Sequence, residues 1–177
     1  MCTVLIDRMM VKLILVRHGE TVDNVNQVLQ GQTQGMLNEH GRRQAQQLCE
    51  HLAGQAIDVF MSSDLERAVE TCRIIAEPHG APVVTTPLLR ERDWGGFTGE
   101  YIPDLKDKVW PADVETLESL KGRAASFLNE LRAEYAGKTV LAVGHGIINK
   151  AIQSVLYDKP MNEVDKMGNA EARELII

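Results

Sequence analysis

Four polar clusters interrupt the apolar and charged segments of this chain, and their residue types suit one another chemically. Arg17-His18 ends one apolar run and Ser62-Ser63-Asp64-Leu65-Glu66-Arg67 closes a second. Glu91 lies in a charged loop after a third, and Gly144-His145-Gly146 follows a fourth. Two guanidiniums present planar forks of donors that match phosphate oxygens and keep their charge at any working pH. A histidine can serve as a covalent nucleophile, splitting one hard displacement into two easier ones. Neighbouring cations favour its neutral, attacking form over imidazolium. A carboxyl group can protonate a leaving oxygen and then act as a base toward water. Two histidines, two arginines and a carboxylate therefore suit phosphoryl chemistry, and nothing in that scheme needs a metal.

Those residues act together only if the elements between them bring them to one place. Residues 11–16 form a short apolar run rich in β-branched side chains, which predicts a buried strand. Leu37, Gly41, Ala45, Leu48 and Leu52 recur at helical spacing, predicting an amphipathic helix over about 38–53. Residues 57–61, 82–85 and 138–143 predict further strands, and 172–177 a last one. Ser63 and Glu66 read as a capping box opening a helix with Leu65, Ala68, Cys72 and Ile75 on one face. The longest helix is expected over about 113–135, after a short helical piece near 103–109. A final helix carries Ile148, Ala151, Ile152 and Val155.

Strands alternate with helices throughout. The class is α/β: a three-layer sandwich whose mostly parallel central sheet is flanked by helices, with a small helical lid. In an open parallel sheet the strand-to-helix junctions lie along one edge, outside the carboxyl ends of the strands. Residues distant in sequence then meet in one crevice. No repeat or linker breaks the series, so 10–177 reads as a single domain with its lid at about 92–115. Met10-Val11-Lys12-Leu13 makes a natural beginning, and residues 1–9 are expected to be an N-terminal extension.

The motifs carry a resemblance at this point. Leu15-Val16-Arg17-His18-Gly19-Glu20-Thr21 with Asn24 resembles the signature of the histidine phosphatase superfamily, the phosphoglycerate mutase-like proteins. The stretch from Ser62 to Ala68 with Thr71, Leu89-Arg90-Glu91 with its following glycines, and Val143-Gly144-His145-Gly146 resemble that family's later motifs, in family order. The resemblance implies that His18 is phosphorylated and that Arg17, Arg67 and His145 hold the phosphoryl oxygens. It makes Glu91 the acid and base. It places Asn24, Gln30, Gly31 and the Gly146 backbone at the phosphate end of the pocket, with Ser62 a weaker candidate. It implies no metal and no cofactor. Thr33-Gln34-Gly35-Met36-Leu37 and Val114-Glu115-Thr116 depart from the family pattern, at the substrate rim more than at the phosphate core.

Composition narrows the partners. A formal net charge of −6 argues against a broad surface for nucleic acid or an anionic membrane. No apolar run reaches the length of a membrane span, and the cytoplasm is the expected location. Cys2, Cys49 and Cys72 form no CxxC pair; Cys49 and Cys72 read as small core residues. His40, His51 and His79 stand outside any motif, where surface roles are expected.

The expected activity is a phosphomonoesterase acting on a small phosphorylated metabolite through phospho-His18. A phosphoglycerate mutase is the alternative within the family, and a non-catalytic phosphate-binding module the alternative outside it. Glu91 and His145 are close in sequence, leaving room for only a small lid, which favours hydrolysis over transfer. Arg90 and Arg92 could serve a second anionic group or be solvated. Trp94 and Trp110 could flank the pocket mouth or pack the lid.

Overall fold

Successive side chains of a strand point to opposite faces, so a strand apolar at every position needs cover on both. In β1 (Lys12–Arg17), Leu13 and Leu15 enter one core while Ile14 and Val16 enter the other. The same holds for β4 (Thr139–Gly144), which sends Val140 and Ala142 one way and Leu141 and Val143 the other. These two strands pair in parallel, Leu15 opposite Ala142 and Arg17 opposite Gly144. β2 (Val59–Ser62) lies parallel to β4, and β3 (Val83–Thr85) parallel to β2. β5 (Ala172–Ile176) runs antiparallel to β1, giving the order β3-β2-β4-β1-β5.

The computed structural model describes residues 10–177. The expectation for residues 1–9 lies outside the described residues. Helices cover both faces of the sheet, giving the α/β sandwich that the alternation of elements predicts. After a single-turn α1 (Val22–Val25), α2 (Glu39–Leu52) and α3 (Glu66–Ala76) place Leu48, Leu52, Ala68, Cys72 and Ile75 on one face. On the other, α4 (Leu117–Glu134) and α5 (Gly146–Leu156) contribute Leu120, Phe127, Leu131, Ile148 and Ile152. Burying side chains of this size stabilises by about 1.5–3 kcal/mol each. No helix among the described residues is long and apolar enough to cross a membrane.

Several local expectations change. The helix after β2 starts at Glu66, with Leu65 as its N-cap and no side-chain cap bond. Leu65 is buried, which holds that segment as a turn. The Ser63 hydroxyl accepts from Leu65 N at 3.2 Å, and Glu66 N donates to Gln34 Oε1 at 3.1 Å. A reciprocal capping box does occur, at Thr21 and Asn24, where it opens α1 inside a segment that reads as loop. The longest helix begins at Leu117, capped by Thr116, because the residues before it are drawn onto the Glu91 loop: Glu115 N donates to Asp93 O at 2.9 Å. The piece near 103–109 is a 3₁₀ turn at Ile102–Leu105.

Cys72 is buried and its thiol is pushed up to about 12 by desolvation, while Cys49 is half-buried. His79 is half-buried rather than at the surface, its ring tilted 4.9 Å from Phe60.

Candidate active site

The polar clusters converge because β1, β2 and β4 lie side by side and end at one edge. Arg17 is the last residue of β1, and His18 N donates to Gly144 O at 3.1 Å, tying the first loop to the end of β4. Behind His18 the backbone is crowded. Asn38 caps α2 by accepting from Gly41 N at 2.7 Å, bringing that first turn against Gly19. A Cβ on Gly19 would stand 2.5 Å from Gly41 O, so close approach requires glycine there. Thr71 of α3 adds a strap, accepting from Gly19 N at 3.1 Å while donating to Arg67 O at 2.7 Å.

The His18 ring is 3% exposed, and its Nδ1 sits 2.7 Å from Gly19 O. A carbonyl only accepts, so this contact puts the proton on Nδ1 and leaves the Nε2 lone pair for the cavity. Burial first, then the Arg67 and Arg17 guanidiniums, hold His18 well below the usual imidazole range. His145, the N-cap of α5, is fully buried with its ring centroid 5.0 Å from that of His18. Desolvation, followed by Arg67, depresses its pKa in the same direction.

The two arginines are anchored by backbone carbonyls. Arg17 Nη1 donates to Met167 O at 2.8 Å. Arg67 is 1% exposed and donates from Nη1 to Thr33 O at 2.6 Å and from Nη2 to Gly31 O at 2.7 Å. Desolvation brings Arg67 down to about 10, still cationic at neutral pH. Nε of Arg17, Nε of Arg67 and both ring nitrogens of His145 are buried without a hydrogen-bond partner. Unsatisfied buried polar atoms are costly, and a convergent set of them marks a place for an anion.

Glu91 approaches the same space from the loop after β3. Its carboxylate accepts from the N–H groups of Ile147 at 3.1 Å and Ile148 at 3.2 Å in the first turn of α5, and from Arg92 N at 2.9 Å. The Ile147 and Ile148 amides at that helix start are thus taken by Glu91. An ideal Cβ at Gly146 would lie 3.6 Å from Glu91 Oε2 and 3.7 Å from Arg17 Nε. Asn24, fixed by the Thr21 cap, accepts from Asn169 Nδ2 at 3.1 Å. Gln30 accepts from Thr21 Oγ1 and donates to Asp23.

These groups line a cavity of about 700 Å³. Of the nine residues singled out from the sequence, eight lie on its wall, and His145 alone stands off it, packed against His18. Ser62 turns away, its hydroxyl donating to Ser63 O at 2.8 Å. Arg90 and Arg92 are also off the wall. Arg90 pairs with Asp64 through Nε at 2.7 Å, and Arg92, itself buried, lies over two indoles. Arg90 is thus held by a carboxylate, and Arg92 is buried rather than solvated.

Other residues escaped the sequence reading. Arg123 of α4 pairs with Glu115 and donates to the carbonyls of Leu88, Arg90 and Glu91. Asn169 donates to His18 O at 3.1 Å. Neither stands in a motif, so the sequence carries no signal for either.

The geometry has parallels among known proteins. The chain is 38% identical over 141 residues to Uncharacterized phosphatase PhoE of Bacillus subtilis (strain 168), spanning 77% of this chain and 72% of that protein. It is 32% identical over 165 residues to Probable phosphoglycerate mutase GpmB of Yersinia enterocolitica, covering 85% of this chain and 77% of that one. Mycobacterial glucosyl-3-phosphoglycerate phosphatase in complex with VO3 superposes with a TM-score of 0.84 at 28% identity, over 92% of this chain and 91% of that one. The model of the histidine phosphatase superfamily (branch 1) matches residues 13–176, from β1 through β5. The chain belongs to the histidine phosphatase superfamily.

Proposed function

We propose that the protein is a metal-independent phosphomonoesterase that hydrolyses a small phosphorylated metabolite through a phosphohistidine on His18. The observation that carries this reading is the 2.7 Å contact of His18 Nδ1 with Gly19 O, a carbonyl that can only accept, which leaves Nε2 as the nucleophile beside two anchored guanidiniums. In the first step the Nε2 lone pair attacks phosphorus. The P–O ester bond breaks, and the leaving oxygen takes a proton from the Glu91 carboxyl. In the second, Glu91 takes a proton from water, the water oxygen attacks phosphorus and the P–N bond breaks, returning His18. Arg17, Arg67 and His145 supply donors to the equatorial oxygens, where charge spreads in the transition state. Asn24, Gln30, Gly31 and Gly146 bound the space around the phosphoryl group. Water is the acceptor in this reading because the lid, residues 92–115, is short: its only regular elements are single 3₁₀ turns.

The relatives include both a phosphatase and a mutase by name, so the acceptor is the point to test. With 3-phosphoglycerate as substrate, product analysis should find inorganic phosphate and glycerate. Efficient conversion to 2-phosphoglycerate with no release of phosphate would overturn the hydrolase reading in favour of the mutase.

A further inference from the structure

We propose, building on the phosphatase reading, that the outer half of the cavity selects phosphomonoesters whose alcohol carries a flat apolar body, an aromatic ring foremost. Trp94 and Trp110 are then the specificity-determining residues. The cavity is amphipathic. Its deep end holds His18 and the two arginines, whereas its outer walls are Leu29, Trp94, Phe97, Ile102, Leu105 and Trp110. Trp110 is 54% exposed and Ile102 46%, so large apolar surfaces face open, concave space. Surfaces of that kind mark where a ligand buries its own apolar area.

The indoles are held in place. Trp94 and Trp110 meet edge-on, centroids 5.8 Å apart at 60°, and Phe97 meets Trp110 at 5.9 Å and 81°. The Arg92 guanidinium lies over both indoles, 4.7 Å from Trp94 and 5.0 Å from Trp110, and its Nε donates to Glu115 O at 2.8 Å. Arg92 is the residue after Glu91 and gives its own N–H to that carboxylate. Arg92 therefore ties the aromatic wall to the carboxylate, and a wall held in place before binding spends little affinity on ordering. The two indoles touch each other, so a ring entering the cavity would pack against the surface they jointly present to it rather than between them. A polyol fares worse. Along the outer wall the hydrogen-bonding side chains are Lys106, Lys166 and the indole N–H groups of Trp94 and Trp110, all donors, so most hydroxyls would lose water without gaining a full set of partners.

Three esters of primary alcohols test this with similar leaving groups: ethyl phosphate, 2-phenylethyl phosphate and glucose 6-phosphate. The expected kcat/KM for 2-phenylethyl phosphate exceeds that for either other ester by roughly tenfold to a hundredfold. In Trp110→Ala that ratio should fall by about tenfold. The chain has two tryptophans, both on the cavity wall, so intrinsic fluorescence gives a readout in the unaltered protein. The non-hydrolysable 2-phenylethylphosphonate should change it, and ethylphosphonate should not. Equal turnover of the three esters, or preference for glucose 6-phosphate, overturns the aromatic-substrate proposal alone. Absence of turnover on all three overturns the phosphatase reading beneath it.

Discussion

His18 and His145 lie side by side, nearly free of water and close to two guanidiniums, and both are held in their neutral forms. That has a consequence for stability as well as chemistry. In the unfolded chain each imidazole titrates near the ordinary value of about 6.5. In the fold each is depressed, so the unfolded state binds more protons as pH drops. The stabilising contribution is complete above about pH 6.5 and declines on acidification, by up to about 1.4 kcal/mol per pH unit for each ring. Urea unfolding followed between about pH 7 and pH 5 should show stability falling, with a shallower slope in His145→Asn, which removes one of the two rings. Identical slopes would mean that His145 is not buried neutral. At this scale the sequence told much: His18, Arg17, Arg67 and Glu91 all reach one cavity wall. Arg90 and Arg92 were ambiguous because a charged triplet reads alike whether its partners are solvent, a carboxylate or an indole, and the partners lie far away in sequence.

At the scale of elements, α4 does more than cover the sheet. Its Arg123 fastens the Glu91 loop by bonds to three carbonyls, and Glu115 locks that guanidinium with 2.8 Å contacts to Nε and Nη2. Arg123 is thus a positioning residue for Glu91, the acid of the proposed mechanism. Misplacing a reacting group by about 1 Å can cost on the order of a hundredfold. Arg123→Gln should lower kcat by about tenfold to a hundredfold with little change in KM, and Arg123→Lys should recover part of the loss. A variant that only lowers the melting temperature, with kcat of the folded protein intact, would reduce Arg123 to a structural tie. Strands and main helices were legible because their periodicity reports burial directly. Boundaries were less so. The start of α4 slipped to Leu117 because tertiary bonds between Glu115 and the Asp93 backbone overrode the local pattern. α1 was missed since a single capped turn leaves no periodic trace.

Across the whole molecule, an acidic protein of net charge −6 places unpartnered buried nitrogens of Arg17, Arg67 and His145 close together beyond the ends of β1 and β4. The sandwich supplies rigidity, and the segment between β3 and α4 supplies both the carboxylate and the aromatic wall. The order of strands and helices predicted that crevice in outline. Its apolar outer wall came from loops with no periodicity to announce it. Covalent passage of the phosphoryl group through His18 is the step on which the proposed function rests. The most direct measurement is a rapid alkaline quench during turnover of a ³²P-labelled phosphomonoester in excess EDTA, followed by peptide mapping. The account predicts label on the peptide containing His18, appearing before phosphate release and absent in His18→Ala, which should not turn over. Steady hydrolysis with no labelled His18, or turnover that survives His18→Ala, would contradict it.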